Sequence, residues 1–237
     1  MMSIVTPART TRTTWEREVD SARPSKREID HVVLDYLITE GYPEVAKLFA
    51  HDADLKLPDE QSMWSRMSVR NAIHDGDAGK AIELLNDFNA EILDNDGLLH
   101  FRLLQMQLIE IIRPVLAKGK DVNVEEFRPA LEFARNQLAP RVPTGDEYRK
   151  IMEHTMALMI FDPMHAGPEL TSLLDHNLRY NLASAVNKAM LDSRKESSEA
   201  KILQLERTNV WAELRAGEAK LGIPPKDDDD YDDPMVS

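Results

Sequence analysis

The chain has 237 residues, 42% of them hydrophobic and 30% charged, the composition of a globular protein with a sizeable core. It contains no cysteine, which excludes thiol catalysis, a disulfide framework, iron–sulfur clusters and thiolate zinc sites. A formal net charge of −13 disfavours a phosphate backbone as main partner, and no apolar run reaches the length of a membrane span.

Residues 1–25 are rich in Thr and Arg, carry Pro24 and show little periodicity, so they are expected as a flexible arm. The start, "MMSIVTPARTTRTTWER", lacks the hydrophobic stretch of a secretory signal. From Ile29 the apolar positions Ile29, Val32, Val33, Tyr36 and Leu37 fall on one helical face. Glu40-Gly41-Tyr42-Pro43 follows, with Gly41 suited to ending one helix and Pro43 to starting the next. That next helix carries Val45, Ala46, Leu48 and Phe49. Two helices of about ten residues are marginal alone, so this hairpin is expected to pack against something else.

"HDADLKLPDEQS" reads as a linker. Met67, Val69 and Ile73 line a helix that stops at Gly76, and Asp77 is placed to cap another bearing Ala81, Ile82, Leu84, Leu85 and Phe88. "LDNDG" is predicted as a turn. Ten of the fifteen residues from Leu98 to Ile112 are apolar, with no clean polar face. Such a helix should be wrapped by others, and it is expected to end at Arg113-Pro114.

Asn123 with Glu126 forms a capping-box pattern ahead of Phe127, Leu131, Phe133, Ala134 and Leu138, with Pro129 kinking or starting that helix. After the break "PRVPTG", Thr144 and Glu147 suggest a second box for a helix with Tyr148, Ile151, Met152, Leu158, Met159 and Phe161. "FDPMHAGP" breaks the chain again. Helices are then expected through "PELTSLLD", along "LRYNLASAVNKAML", and over roughly 199–215 with Ile202, Leu203, Leu205, Val210, Trp211 and Leu214. No segment alternates like a strand. The fold class is all-α, built from antiparallel helix pairs. Residues 216–237 include "KDDDDYDD", one Lys against six Asp, and are expected as an acidic disordered tail.

Chemistry is sparse. The seven histidines are scattered with no metal spacing, and there is neither a phosphate loop nor a nucleophile elbow. His154, Asp162 and His165 lie close together, but nothing orders them as nucleophile, base and orienter. Met152, Met156 and Met159 recur at helical spacing, as core filling does. No catalytic residue, cofactor or metal is expected.

Three segments in order resemble three modules found together. "EIDHVVLDYLITEGYPEVAKLFAHDADL" resembles a LisH (lissencephaly-homology) motif through Tyr36-Leu37, Gly41-Tyr42, Ala46 and Phe49, with Val45 where Thr is usual. The stretch from Met67 to Arg113 resembles a CTLH (C-terminal to LisH) motif, marked by Ile73, Gly76, Ala81-Ile82, Ile92-Leu93 and Leu108–Arg113, with Ala90 in place of the usual Pro. "ALEFARNQLAP" through "NLASAVNKAML" resembles a CRA region. The resemblance implies a LisH dimerisation motif over 26–59, a linker at 60–65, CTLH over 66–122 and CRA over 123–215.

Taken together, the trio is similar to the small LisH–CTLH–CRA scaffold subunits of GID/CTLH E3 ubiquitin ligases, which associate with RanBPM-type proteins. The resemblance implies a non-catalytic, cytoplasmic and nuclear scaffold that joins a substrate-receptor subunit to RING-bearing subunits. In fungi that pathway degrades gluconeogenic enzymes. It further implies a homo- or heterodimer through the LisH face of Ile29, Val33, Tyr36, Leu37, Ala46 and Phe49. A second contact is expected at Trp211 and Leu214. The competing readings are a hydrolase using His154 and Asp162, and a LisH adaptor in cytoskeletal or signalling complexes.

Overall fold

The computed structural model describes residues 17–18, 21–119, 123–161 and 167–219; most of the N-terminal arm, Asp162, His165 and the Asp-rich tail lie outside them. Among the described residues there are eleven α-helices and no strand, so the chain is all-α. They are α1 (Lys26–Thr39), α2 (Pro43–Asp52), α3 (Glu60–His74), α4 (Ala78–Asn89), α5 (Glu91–Asn95), α6 (Gly97–Leu116), α7 (Arg128–Phe133), α8 (Asp146–Ala157), α9 (Pro168–Leu173), α10 (Asn177–Ser193) and α11 (Lys201–Glu218). Two compact units result, Leu37–Glu199 and a smaller one from Met1–Tyr36 with Ala200–Ser237.

The larger unit is organised around α6, whose two faces enter two cores. Leu99, Leu103 and Met106 join Val69, Ile73, Ala81, Leu85, Val186 and Met190 from α3, α4 and α10. Phe101, Leu104, Leu108, Ile109 and Ile112 join Phe127, Ala130, Ala134, Leu138 and Leu158 on the other side. This double burial is why the helix has no polar face. Gln105, itself buried, is satisfied by donating to the Thr155 hydroxyl of α8 at 2.9 Å. Met152, Met156 and Met159 pack against the second core as gap-filling side chains.

Several element boundaries depart from the sequence expectation. Residues 60–65, expected as linker, are the first turns of α3, because the Asp59 carboxylate accepts from the Ser62 N–H and starts the helix early. "LDNDG" is no open turn: α5 runs to Asn95, and Asp96 caps α6 by accepting from the Leu99 N–H at 2.9 Å. Helix α6 passes through Pro114 to Leu116, since a proline in the last turn costs little when Ala117 N–H still reaches the Arg113 carbonyl.

The single helix expected after Asn123 is instead a succession of short pieces. A 3₁₀ turn over Val124–Phe127 leads into α7, which starts beside Pro129, then a π-turn over Ala134–Leu138 and a second 3₁₀ stretch over Ala139–Thr144. The capping box does not close. Asn123 Oδ1 accepts from Glu125 N–H, while the Glu126 carboxylate turns to Lys118. At α8 the N-cap position falls to Gly145, one residue past Thr144.

In the smaller unit α1 starts with a reciprocal box: Glu28 accepts from the Ser25 N–H and hydroxyl at 2.7 Å, and Ser25 Oγ accepts from the Glu28 N–H. Asp35 accepts from the Lys201 N–H at 2.8 Å and pairs with its ammonium at 3.3 Å, placing a carboxylate on the positive end of α11.

Candidate protein interface

The turn between α1 and α2 is fully satisfied by its own unit. Gly41, at φ +77°, occupies the left-handed position, with Gly41 N–H on the Ile38 carbonyl and Tyr42 N–H on the Leu37 carbonyl. The remaining carbonyls at this helix end are taken by α3 and α10. Arg66 donates to the Ile38 and Thr39 carbonyls at 2.7 and 3.2 Å, and Asn187 donates to Thr39 at 2.8 Å. Arg70 donates to the Glu40 carbonyl at 2.7 Å and to the Tyr42 hydroxyl at 2.9 Å, with its guanidinium 4.4 Å from the Tyr42 ring centre.

Arg66 is 2% exposed and makes no ion pair among the described residues. Its charge is held by carbonyl dipoles and the Asn187 amide oxygen at 2.8 Å, and burial pulls its pKa down. Its Nε has no hydrogen-bond partner among the described residues. A cation so placed sits on the negative end of α1, where a helix favours it.

Sequence reasoning missed this trio. The available signal was Arg66 itself, which falls three residues after Met63 and seven before Ile73 on the buried stripe of α3.

The six residues expected to pair with another LisH do not share one environment. Ile29 and Tyr36 are exposed, while Val33, Leu37 and Phe49 are half-buried. Ala46 is completely enclosed by its own chain. Beside it, Val45 and Leu48 point outward on α2, with Leu48 69% exposed. On α2 the exposed large apolar side chains are therefore Val45 and Leu48.

In the smaller unit, α11 has no buried residue. Trp211 and Leu214 are 61% and 62% exposed, and Ile202, Leu203, Leu205 and Val210 are exposed with them. Six large apolar side chains on one helix exceed the scattered singles of an ordinary surface.

The other candidates place little chemistry together. His154 is exposed and lies 3.7 Å from the Glu169 carboxylate, while Asp162 and His165 are outside the described residues. No group of three metal-ligating side chains and no helix long and apolar enough to cross a membrane occurs among the described residues.

Comparison with known proteins accords with these features. The family profile described as CTLH/CRA C-terminal to LisH motif domain matches residues 62–214. The chain is 36% identical to Protein GID8 homolog of Arabidopsis thaliana over 209 residues, 88% of this chain and 82% of that protein. It is 34% identical over 202 residues to Glucose-induced degradation protein 8 homolog of Dictyostelium discoideum, 85% of this chain and 84% of that protein. It is 32% identical over 205 residues to GID complex subunit 8 of Schizosaccharomyces pombe, covering 85% of this chain and 84% of that protein.

Proposed function

Because the chain belongs to the CTLH/CRA C-terminal to LisH motif family, we propose that it is a non-catalytic scaffold subunit of a GID/CTLH-type RING E3 ubiquitin ligase. The observation that carries this reading is similarity along most of the chain to proteins named for the GID complex and for glucose-induced degradation. Residues 26–59 serve as a LisH module, 66–122 as CTLH and 123–215 as CRA. The subunit joins a substrate-receptor arm to RING-bearing relatives in the cytoplasm and nucleus and so supports proteasomal degradation, in fungi of gluconeogenic enzymes.

Pairing runs through the exposed apolar positions. Ile29 and Tyr36 in the smaller unit, and separately Val45 and Leu48 in the larger, offer large side chains whose full burial is worth ~1.5–3 kcal/mol each. A few of them hold a dimer once the cost of association is met. Trp211 and Leu214 on α11 offer a second such surface.

Affinity purification of the chain from its native source, read by mass spectrometry, tests the assignment. Recovery of RING-bearing LisH–CTLH proteins and a RanBPM-like protein is expected; their clean absence overturns it. For the pairing face, Leu48→Asp and Phe49→Asp are expected to lower the oligomer mass in light scattering, Leu48→Asp without loss of helix content.

A further inference from the structure

We propose that Arg66 and Arg70 are positioning residues for pairing: they fix the turn over residues 38–42 on α3 and so present Val45 and Leu48 of α2 in one orientation. The inference rests on the pairing role proposed above and adds residues that touch no partner.

The case begins with what a helix end requires. The last carbonyls of α1 need donors, and a Gly-centred turn supplies two, at Leu37 and Ile38. Water would satisfy the rest equally well at an exposed turn. Here they are met instead by side chains from elsewhere in the unit, Arg66 and Asn187 on Thr39 and Arg70 on Glu40, with Arg66 also giving Ile38 a second donor. Arg66 reaches them from 27 and 28 residues away and Asn187 from 148.

The cost of this arrangement indicates its purpose. Arg66 is buried without a carboxylate partner among the described residues, and a desolvated charge is expensive unless every donor is used. An apolar residue at position 66 would continue the stripe of Met63, Val69 and Ile73 at lower cost. What it could not do is grip two successive carbonyls in a fixed plane, which is the property of a guanidinium fork.

Arg70 repeats the device one turn later and adds the Tyr42 ring and hydroxyl. Tyr42 immediately precedes α2 and its carbonyl accepts from the Ala46 N–H. The direction of α2 is thereby tied to α3. A pairing face held in one orientation loses less conformational freedom when it meets its partner.

The test uses the full chain and a second copy as partner, measuring the dimer dissociation constant by sedimentation equilibrium and amide exchange at residues 41–42 and 98–112. For Arg70→Met and Arg66→Met the expected result is a dissociation constant raised about tenfold or more. Exchange at Gly41 and Tyr42 should quicken while protection over 98–112 is unchanged. Arg66→Lys should restore little, since one ammonium cannot reproduce the fork.

A dissociation constant within about twofold of the parent in Arg70→Met overturns the inference. Loss of protection over 98–112 in both arginine-to-methionine variants also overturns it, because the arginines would then be holding the fold. Leu48→Asp separates the two readings. If it breaks the dimer and Arg70→Met does not, positioning alone fails. If Leu48→Asp also leaves the dimer intact, or the parent chain stays monomeric, self-pairing through this face falls and takes this inference with it.

Discussion

Single residues carry constraints that periodicity does not reveal. Gly76 ends α3 at φ +83°, and an added Cβ would lie 2.8 Å from Arg179 Nη2, which donates to Glu110 while Nη1 of the same guanidinium donates to the His74 carbonyl. Gly76→Ala is therefore expected to cost roughly 1–3 kcal/mol, seen as a lower urea midpoint with unchanged slope. His74 lies beside that site. Burial, then the Arg70 and Arg179 charges, hold its pKa below the ordinary 6.5; burial and Arg141 do the same for His100. A histidine that resists protonation in the folded state leaves the unfolded chain binding more protons in acid. Stability is thus full above pH 6.5 and falls as pH drops from there through the lower folded values. The lowered carboxylates Glu28, Asp59, Glu126 and Asp175 act only further down, below their ordinary 4.5 or 3.8. Melting temperatures measured from pH 7.5 to 5 should decline, and His74→Gln should flatten part of that fall. Gly76 was legible as a helix stop from its type alone, but the neighbours that forbid a Cβ come from 34 and about a hundred residues away in sequence, where pattern reading has no reach.

Elements were legible where apolar spacing is long and regular. The span Leu98–Ile112 reads as a wrapped helix and is one, since both its faces are buried. The first turn of α3 was missed because Asp59 looks like loop chemistry until its carboxylate is seen on the Ser62 N–H. The same rule would have found Ser25-x-x-Glu28, an intact capping box at α1. By contrast, Asn123 and Glu126 match the box pattern yet miss its geometry, because Lys118 competes for the glutamate. Caps that do form have measurable weight. Asp96→Ala, which removes the acceptor of the Leu99 N–H, is expected to destabilise the protein by about 1 kcal/mol, read from thermal or urea unfolding. At the hairpin, spacing identified the apolar stripe, but the buried side of α2 was set by α3. Hence Ala46 is enclosed and Leu48 exposed.

At the scale of the whole chain, charge and surface oppose one another. A chain of net charge −13 repels a second copy, while exposed apolar positions on α2 and α11 favour contact. Added salt screens the first term and leaves the second. Self-association should therefore tighten as ionic strength rises from ~20 to ~150 mM, whereas capture of a basic partner should weaken over the same range. Light scattering across a salt series checks the sign.

The bond from Asn187 to the Thr39 carbonyl, spanning 148 positions, also bears on how the molecule is made. The hairpin leaves the ribosome early, yet the last donor to its turn is synthesised roughly seven to thirty seconds later at ~5–20 residues per second. Until then the Thr39 carbonyl has Arg66 as its one side-chain donor among the described residues, and the turn ahead of α2 is held by α3 alone. The turn ahead of α2 therefore gains its full set of side-chain donors only once most of the chain exists.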